Sequence, residues 1–142
     1  IGGAGRGALH VKRQPGIVIL DQGPVYMLAE LLRFGPQTLT GPAAADWWQA
    51  TCQQWSKDLD VVISLDTEDA RLMERIRSRE KKHGVKENSD QWAREFLARY
   101  RAAQDKVLTA MDVSGADGPK LFRFDTSALS PAETVKNILA TL

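Results

Sequence analysis

Three aspartates close short apolar runs in this chain, a position where a carboxylate can do chemistry. Asp21 follows Gly16-Ile17-Val18-Ile19-Leu20, Asp66 follows Leu59 to Leu65, and Asp125 follows Lys120 to Phe124. In an open parallel sheet the ligand lies beyond the carboxyl ends of the strands. A carboxylate there can hold Mg²⁺ through water or accept a proton from a substrate hydroxyl. Asp21, beside the Gly23-Pro24 break, is the first candidate for that role. Asp66 also fits as an opener of the next helix, and Asp125-Thr126-Ser127 as a turn.

The second signal is basic. Arg71, Arg75, Arg79 and Lys82 recur at spacings of four, four and three, which places them on one helix face, with Arg77 and Lys81 to the side. Guanidinium groups present fixed forks of donors that match phosphate oxygens, and several together neutralise a transferring phosphoryl group. The same charges also suit a solvated face partly paired with Glu74 and Glu80. No aromatic side chain interleaves the run and the formal charge is only +1, so no nucleic-acid partner is expected. Gln22 follows Asp21 at the sheet edge, Tyr26 and Glu30 lie one turn apart on the next helix, and Trp47 faces away from the main apolar stripe. These four are the candidates for substrate contact. Cys52 reads as core, and His10 and His83 lack partners at metal-ligand spacing, so no structural zinc site is expected.

These residues need elements to position them. The unalternating run Gly16–Asp21 reads as a strand buried on both faces, and Val25–Phe34 as a helix with Pro24 near its first turn. Ala43–Lys57 reads as a helix whose positions 48, 51, 52 and 55 form a buried stripe. Leu59–Leu65 is a second strand. Thr67 caps a helix that carries Leu72, Met73 and Ile76 and continues into the charged segment Arg75–Lys82, until His83-Gly84 stops it. Asn88 or Ser89 caps a long helix over about Asp90–Met111. Lys120–Phe124 is a third strand, and Ser130-Pro131 with Glu133 is a capping box opening a last helix. Helical crossovers between apolar strands predict an α/β protein with a mostly parallel sheet.

Length and composition frame this. A chain of 142 residues has room for one domain, and 43% hydrophobic with 26% charged residues excludes a disordered chain. One cysteine excludes an internal disulfide framework. No apolar run approaches the ~20 residues of a membrane span. With no export signal opening the chain, cytoplasmic residence is expected. Residues 1–15 read as a flexible glycine-rich and basic leader, and 16–142 as the single domain.

Asp21-Gln22-Gly23-Pro24 resembles the Asp-Arg-Ser or Asp-Arg-Gly-Pro segment of P-loop nucleoside and nucleotide monophosphate kinases, the thymidylate-kinase-like group. Asp60–Asp66 followed by Arg71–Arg79 resembles their fourth strand and arginine-bearing lid helix. Phe122–Thr126 with Ser130–Glu133 resembles their last strand and closing helix, so the resemblance covers residues 16–142. It implies a three-layer parallel sheet of P-loop kinase type, a lid at about 71–89, ATP and Mg²⁺ as cofactors, and a small nucleoside, nucleotide or similar hydroxyl acceptor. Asp21 would orient or deprotonate the acceptor or hold Mg²⁺ through water. Arg71, Arg75 and Arg79 would close on the phosphates, with Asp125 and Thr126 beside the base of ATP. Gln22, Tyr26, Glu30 and Trp47 would meet the acceptor. Independently of the resemblance, an exposed Trp47 with the first helices is where a homodimer face is expected.

The chain departs from that family in one large respect. The Gly-x-x-x-x-Gly-Lys-Ser/Thr loop that cradles phosphates is not in it. Gly2–Gly7 has no strand before it and no Lys-Ser/Thr after it, and Gln22 stands where the family usually has arginine. In the family the P-loop strand lies between the strands that match 17–21 and 61–65. The sheet is therefore expected to be incomplete, with activity only when that part is present, and the start at Ile1 fits an upstream part outside this sequence. The alternatives are a non-catalytic domain of the same fold that serves as a binding or structural partner, and a phosphate binder using the arginine helix alone.

Overall fold

A computed structural model describes residues 16–80 and 83–142. The leader, including His10 and Gly2–Gly7, lies outside the described residues, as do Lys81 and Lys82. The chain folds as α1 (Pro24–Phe34), α2 (Gln37–Thr40), a 3₁₀ turn (Pro42–Ala44), α3 (Ala45–Asp58), β1 (Val61–Asp66), α4 (Asp69–Ser78), α5 (Gly84–Glu87), α6 (Asp90–Ala110), β2 (Lys120–Asp125) and α7 (Pro131–Thr141). It is an α/β arrangement with a small two-stranded parallel sheet.

The 21-residue α6 is the spine. Ser89 caps it by accepting the Trp92 backbone N–H at 3.3 Å, which satisfies one of the donors a helix start leaves over. Of its buried residues Ala93, Leu97, Ala103, Val107 and Leu108, all but Leu108 serve two clusters. At the carboxyl-terminal half, Ala103, Val107 and Met111 pack with Leu28 and Ala29 of α1 and Cys52 of α3. At the amino-terminal half, Ala93 and Leu97 pack with Met73 and Ile76 of α4. The stripe on α3 lies as its spacing requires, with Cys52 fully buried, Trp48, Thr51 and Trp55 half-buried, and Trp47 exposed. Arg33 fixes α1 on α6. Its guanidinium lies 4.6, 4.5 and 5.0 Å from the ring centres of Phe34, Phe96 and Tyr100 while Nη1 donates to Glu30 at 2.6 Å.

β1 and β2 pair in parallel, with Val61 opposite Lys120 and Asp66 opposite Asp125. A parallel pair needs a crossover connection, supplied here by α4, α5 and α6. Alternation puts Ser64, Asp66, Arg123 and Asp125 on one sheet face. Ion pairs from that face reach α6, Arg123 to Asp105 at 3.5 Å and Asp66 to Arg101 at 3.2 Å. Before β2 the chain turns tightly, with Asp112 and Ser114 at positive φ. A Cβ on Gly118 would fall 1.9 Å from the Asp112 carbonyl oxygen, so only glycine fits there.

Three expectations are corrected. Ile17–Leu20 is not a strand: it runs outside the sheet, 51–84% exposed, because a strand needs a ladder neighbour and among the described residues β1 pairs with β2 alone. Thr67 is not the helix cap. Glu68 occupies that position without a side-chain cap, and Thr67 is buried with its hydroxyl turned to Ser127. The helix also stops earlier than the charge pattern suggests. It ends at Ser78 with Arg79 extended beyond it, and Gly84 begins α5 instead of terminating α4. The expected capping box is present: Ser130 accepts the Glu133 N–H at 3.3 Å while Glu133 accepts the Ser130 N–H at 2.8 Å.

The packing separates two leucines. Leu28→Ala opens a cavity in the α1–α3–α6 cluster and is expected to cost about 2–5 kcal/mol. Leu139→Ala, on the exposed side of α7, is expected to fall within about 0.5 kcal/mol of zero. Urea denaturation of both variants checks the contrast.

Candidate functional site at the carboxyl edge of the sheet

Both strands deliver an aspartate to the same edge, and the loops that follow are stitched together. The Thr126 N–H and hydroxyl both donate to the Asp66 carbonyl oxygen, at 2.8 and 2.9 Å, which carries the ladder one residue past β2. Asp66 Oδ1 accepts the Thr67 N–H at 2.8 Å, and Asp125 Oδ1 accepts the Ser127 N–H at 2.8 Å. These are the local turns that short polar side chains make with their own backbone. Ser127 then bridges back to the other loop. Its hydroxyl lies 3.1 Å from Thr67 Oγ1 and accepts the Glu68 N–H at 3.0 Å.

Two arginines clamp this edge from different helices. Arg75 of α4 donates to the Thr126 carbonyl at 2.8 Å and to its hydroxyl at 3.3 Å. Arg101 of α6 donates to Asp69, to Asp66 Oδ1 at 3.2 Å and to the Thr67 carbonyl at 3.0 Å. On the Arg101 side opens a cleft of about 510 Å³ whose lining includes Asp66, Glu68, Arg101, Arg123, Phe124 and Asp125 and does not include Arg75. Its lining mixes two arginines with carboxylates and one aromatic side chain, a set that can address both charged and planar parts of a ligand.

The protonation states follow from these contacts. The Asp69 hydrogen bond, against the opposing effect of burial, holds the Arg101 guanidinium above its usual range. Hydrogen bonds from Ser127 hold the Asp125 carboxyl below the ordinary carboxylate range. Burial raises the Cys52 thiol, so the side chain stays protonated and serves as core. Burial, then Tyr26 and Glu30, raise the Tyr100 phenol.

The candidates from sequence divide by place. Arg75, Asp125 and Thr126 come together at the edge. Arg71 pairs with Glu74 of its own exposed helix face at 3.4 Å, and Arg79 lies past the end of α4. Asp21 is exposed in the turn before α1, next to Gln22 at φ 52°. Tyr26 faces Tyr100 with ring centres 6.5 Å apart, Glu30 holds Arg33, and Trp47 stands exposed against Trp48. Among the described residues no group of three or more His, Cys, Asp or Glu side chains could hold a metal. Mg²⁺ asks for less, since it is commonly held by one or two carboxylates and water, a donor set that exposed Asp21 and the adjacent pair Asp66 and Asp125 fit. Arg101 was not a candidate from sequence. Its acceptors lie 32 to 35 residues away, so no local pattern points to it.

Arg101→Gln leaves Asp66 and Asp69 without their shared cation, and with the side chain partly exposed it is expected to cost about 1 kcal/mol in urea denaturation. The pH dependence has a definite sign. Because the folded pKa of Asp125 is depressed, its stabilisation is present above the unfolded aspartate value of about 3.9 and is lost as pH falls through the folded value. Ser127→Ala is expected to reduce that acid-side loss, read from urea midpoints between about pH 5 and pH 2.

The chain matches no family model, no curated protein and no solved structure.

Proposed function

We propose that this chain is the acceptor and lid portion of an ATP-dependent phosphotransferase acting on a small nucleoside, nucleotide or similar hydroxyl acceptor. The observation that carries the reading is the convergence of Arg75, Asp125 and Thr126. Arg75 lies 51 residues from Thr126 in sequence, yet it donates to Thr126 at the carboxyl edge of two parallel strands. These are three of the residues that the kinase resemblance assigns to ATP. In this reading Arg75 meets the phosphates, Asp125 and Thr126 border the base, and Asp21 orients the acceptor hydroxyl or holds Mg²⁺ through water. Preorganised donors of this kind favour charge that develops on a transferring phosphoryl group. ATP and Mg²⁺ are the cofactors the reading requires, and cytoplasmic residence goes with them.

The reading requires a phosphate-cradling Gly-x-x-x-x-Gly-Lys-Ser/Thr loop from outside these 142 residues. Without that nest of amides, ATP binding by the chain alone is weak and turnover negligible. A second reading, a non-catalytic domain that serves as a binding or homodimeric structural partner, is favoured by the position of Ile17–Leu20. That segment lies exposed outside the sheet and leaves Asp21 apart from the edge network.

The intact mass of the native protein, with peptide mapping of its amino-terminal end, separates the two. A mass well above 15.7 kDa with an upstream Gly-Lys-Ser or Gly-Lys-Thr peptide is expected. Mg-ATP turnover by that protein should then fall by about 10²-fold or more in Arg75→Gln. A native protein of 15.7 kDa without nucleotide-dependent stabilisation would sink the kinase reading and leave the structural one.

A further inference from the structure

Helix α4 carries two sets of side chains with different neighbours. Asp69, Met73, Ile76 and Arg77 fall at i, i+4, i+7 and i+8, which is one helix face. Every one of them is engaged with α6. Asp69 accepts from Arg101 at the start of α4, Met73 and Ile76 are buried with Ala93 and Leu97 at its middle, and Arg77 donates to Asp90 at 2.5 Å near its end. The Asp90 carboxyl is held below its ordinary range by that Arg77 contact, as befits a formed pair. Arg75 belongs to the other side. Among the described residues the polar partners of its side chain are both on Thr126, beyond β2, and its near neighbour on that face, Arg71, is exposed.

An arginine helix over a phosphate site is usually pictured as swinging closed. Such a swing here would have to break an ion pair at each end of α4 and expose two buried apolar side chains between them. Moving Arg75 alone costs only its hydrogen bonds to Thr126, one of which is long at 3.3 Å.

We infer that α4 and α6 act as one rigid unit and that closure on an anion at the carboxyl edge is made by the Arg75 side chain, which exchanges Thr126 for the anion while α4 stays docked. This rests on the phosphate-handling reading of the same edge and assigns its moving part. Thr126 is then a parking acceptor, which holds the guanidinium at the edge when no anion is bound. Arg101 is a positioning residue, since it fixes the start of α4 relative to the strand ends.

The test uses the native protein at low salt, with inorganic tripolyphosphate as the probe and two readouts by NMR. One is the Arg75 Nε–H resonance, and the other is amide exchange of Leu72–Arg77. Binding should move the Arg75 resonance and leave the α4 amides as protected as before. Arg75→Gln should weaken tripolyphosphate binding by about tenfold, with α4 protection again unchanged. Binding accompanied by a loss of protection across Leu72–Arg77 would overturn the inference while leaving the phosphate site standing. So would Arg75→Gln loosening α4 with no ligand present. No binding, with the Arg75 resonance unmoved, would overturn both this inference and the phosphate-handling reading.

Discussion

The structure depends on the burial of one helix. α6 has apolar residues along both halves of its length, and α1, α3 and α4 are each held by covering part of them. Burial of this kind is non-directional and would by itself tolerate rotation of the partners. The directional contacts remove that freedom. Arg33 sets α1 by lying among Phe34, Phe96 and Tyr100, the Ser56 hydroxyl ties α3 to the Met111 carbonyl at 2.6 Å, and Arg101 sets the start of α4. Apolar packing brings the helices together, and a few polar contacts fix their register.

Through Arg101 the same helix reaches the carboxyl edge. The two loops there share Ser127 and Thr126 as bridges, so the strand ends behave as one hydrogen-bonded unit. Among the described residues no buried side-chain nitrogen or oxygen lacks a partner. Charge is distributed unevenly within that unit. Arg101 is shared between two carboxylates, whereas among the described residues the Arg75 side chain contacts the neutral hydroxyl and carbonyl of Thr126.

Around this ordered centre, apolar surface remains uncovered. Ile63 and Leu65 share the sheet face turned away from Arg123, and both are exposed. Val135 and Leu139 of α7 and Leu142 just after it are exposed as well, as is the whole of Ile17–Leu20. Parallel sheets ordinarily have both faces covered, and two strands alone make a weak sheet. Ion pairs join the Arg123 face of β1 and β2 to α6, while on the opposite face Ile63 and Leu65 are exposed and Val61, Phe122 and Phe124 half-buried.

What the sequence by itself determined is what short-range geometry decides. The capping box of Ser130 and Glu133, the Ser89 cap, Pro24 at the start of α1 and the stripe through Trp48, Cys52 and Trp55 depend on contacts within about two helical turns, and all are present. Asp66 and Asp125 at the ends of two parallel strands were legible for the same reason, since an apolar run and its terminating acid are local features. Tertiary structure decided the rest. Ile17–Leu20 has the composition of a strand but no neighbour to pair with among the described residues, and a strand exists only as one side of a ladder. Thr67 has the chemistry of a cap, yet Ser127, sixty residues away, took its hydroxyl. The charged run through Arg79 outlasts its helix because the buried contacts that stabilise α4 end at Ile76. Arg101 sits in a helix full of charges and gains its importance only when folding brings Asp66 and Asp69 to it, a proximity that no spacing along the chain encodes.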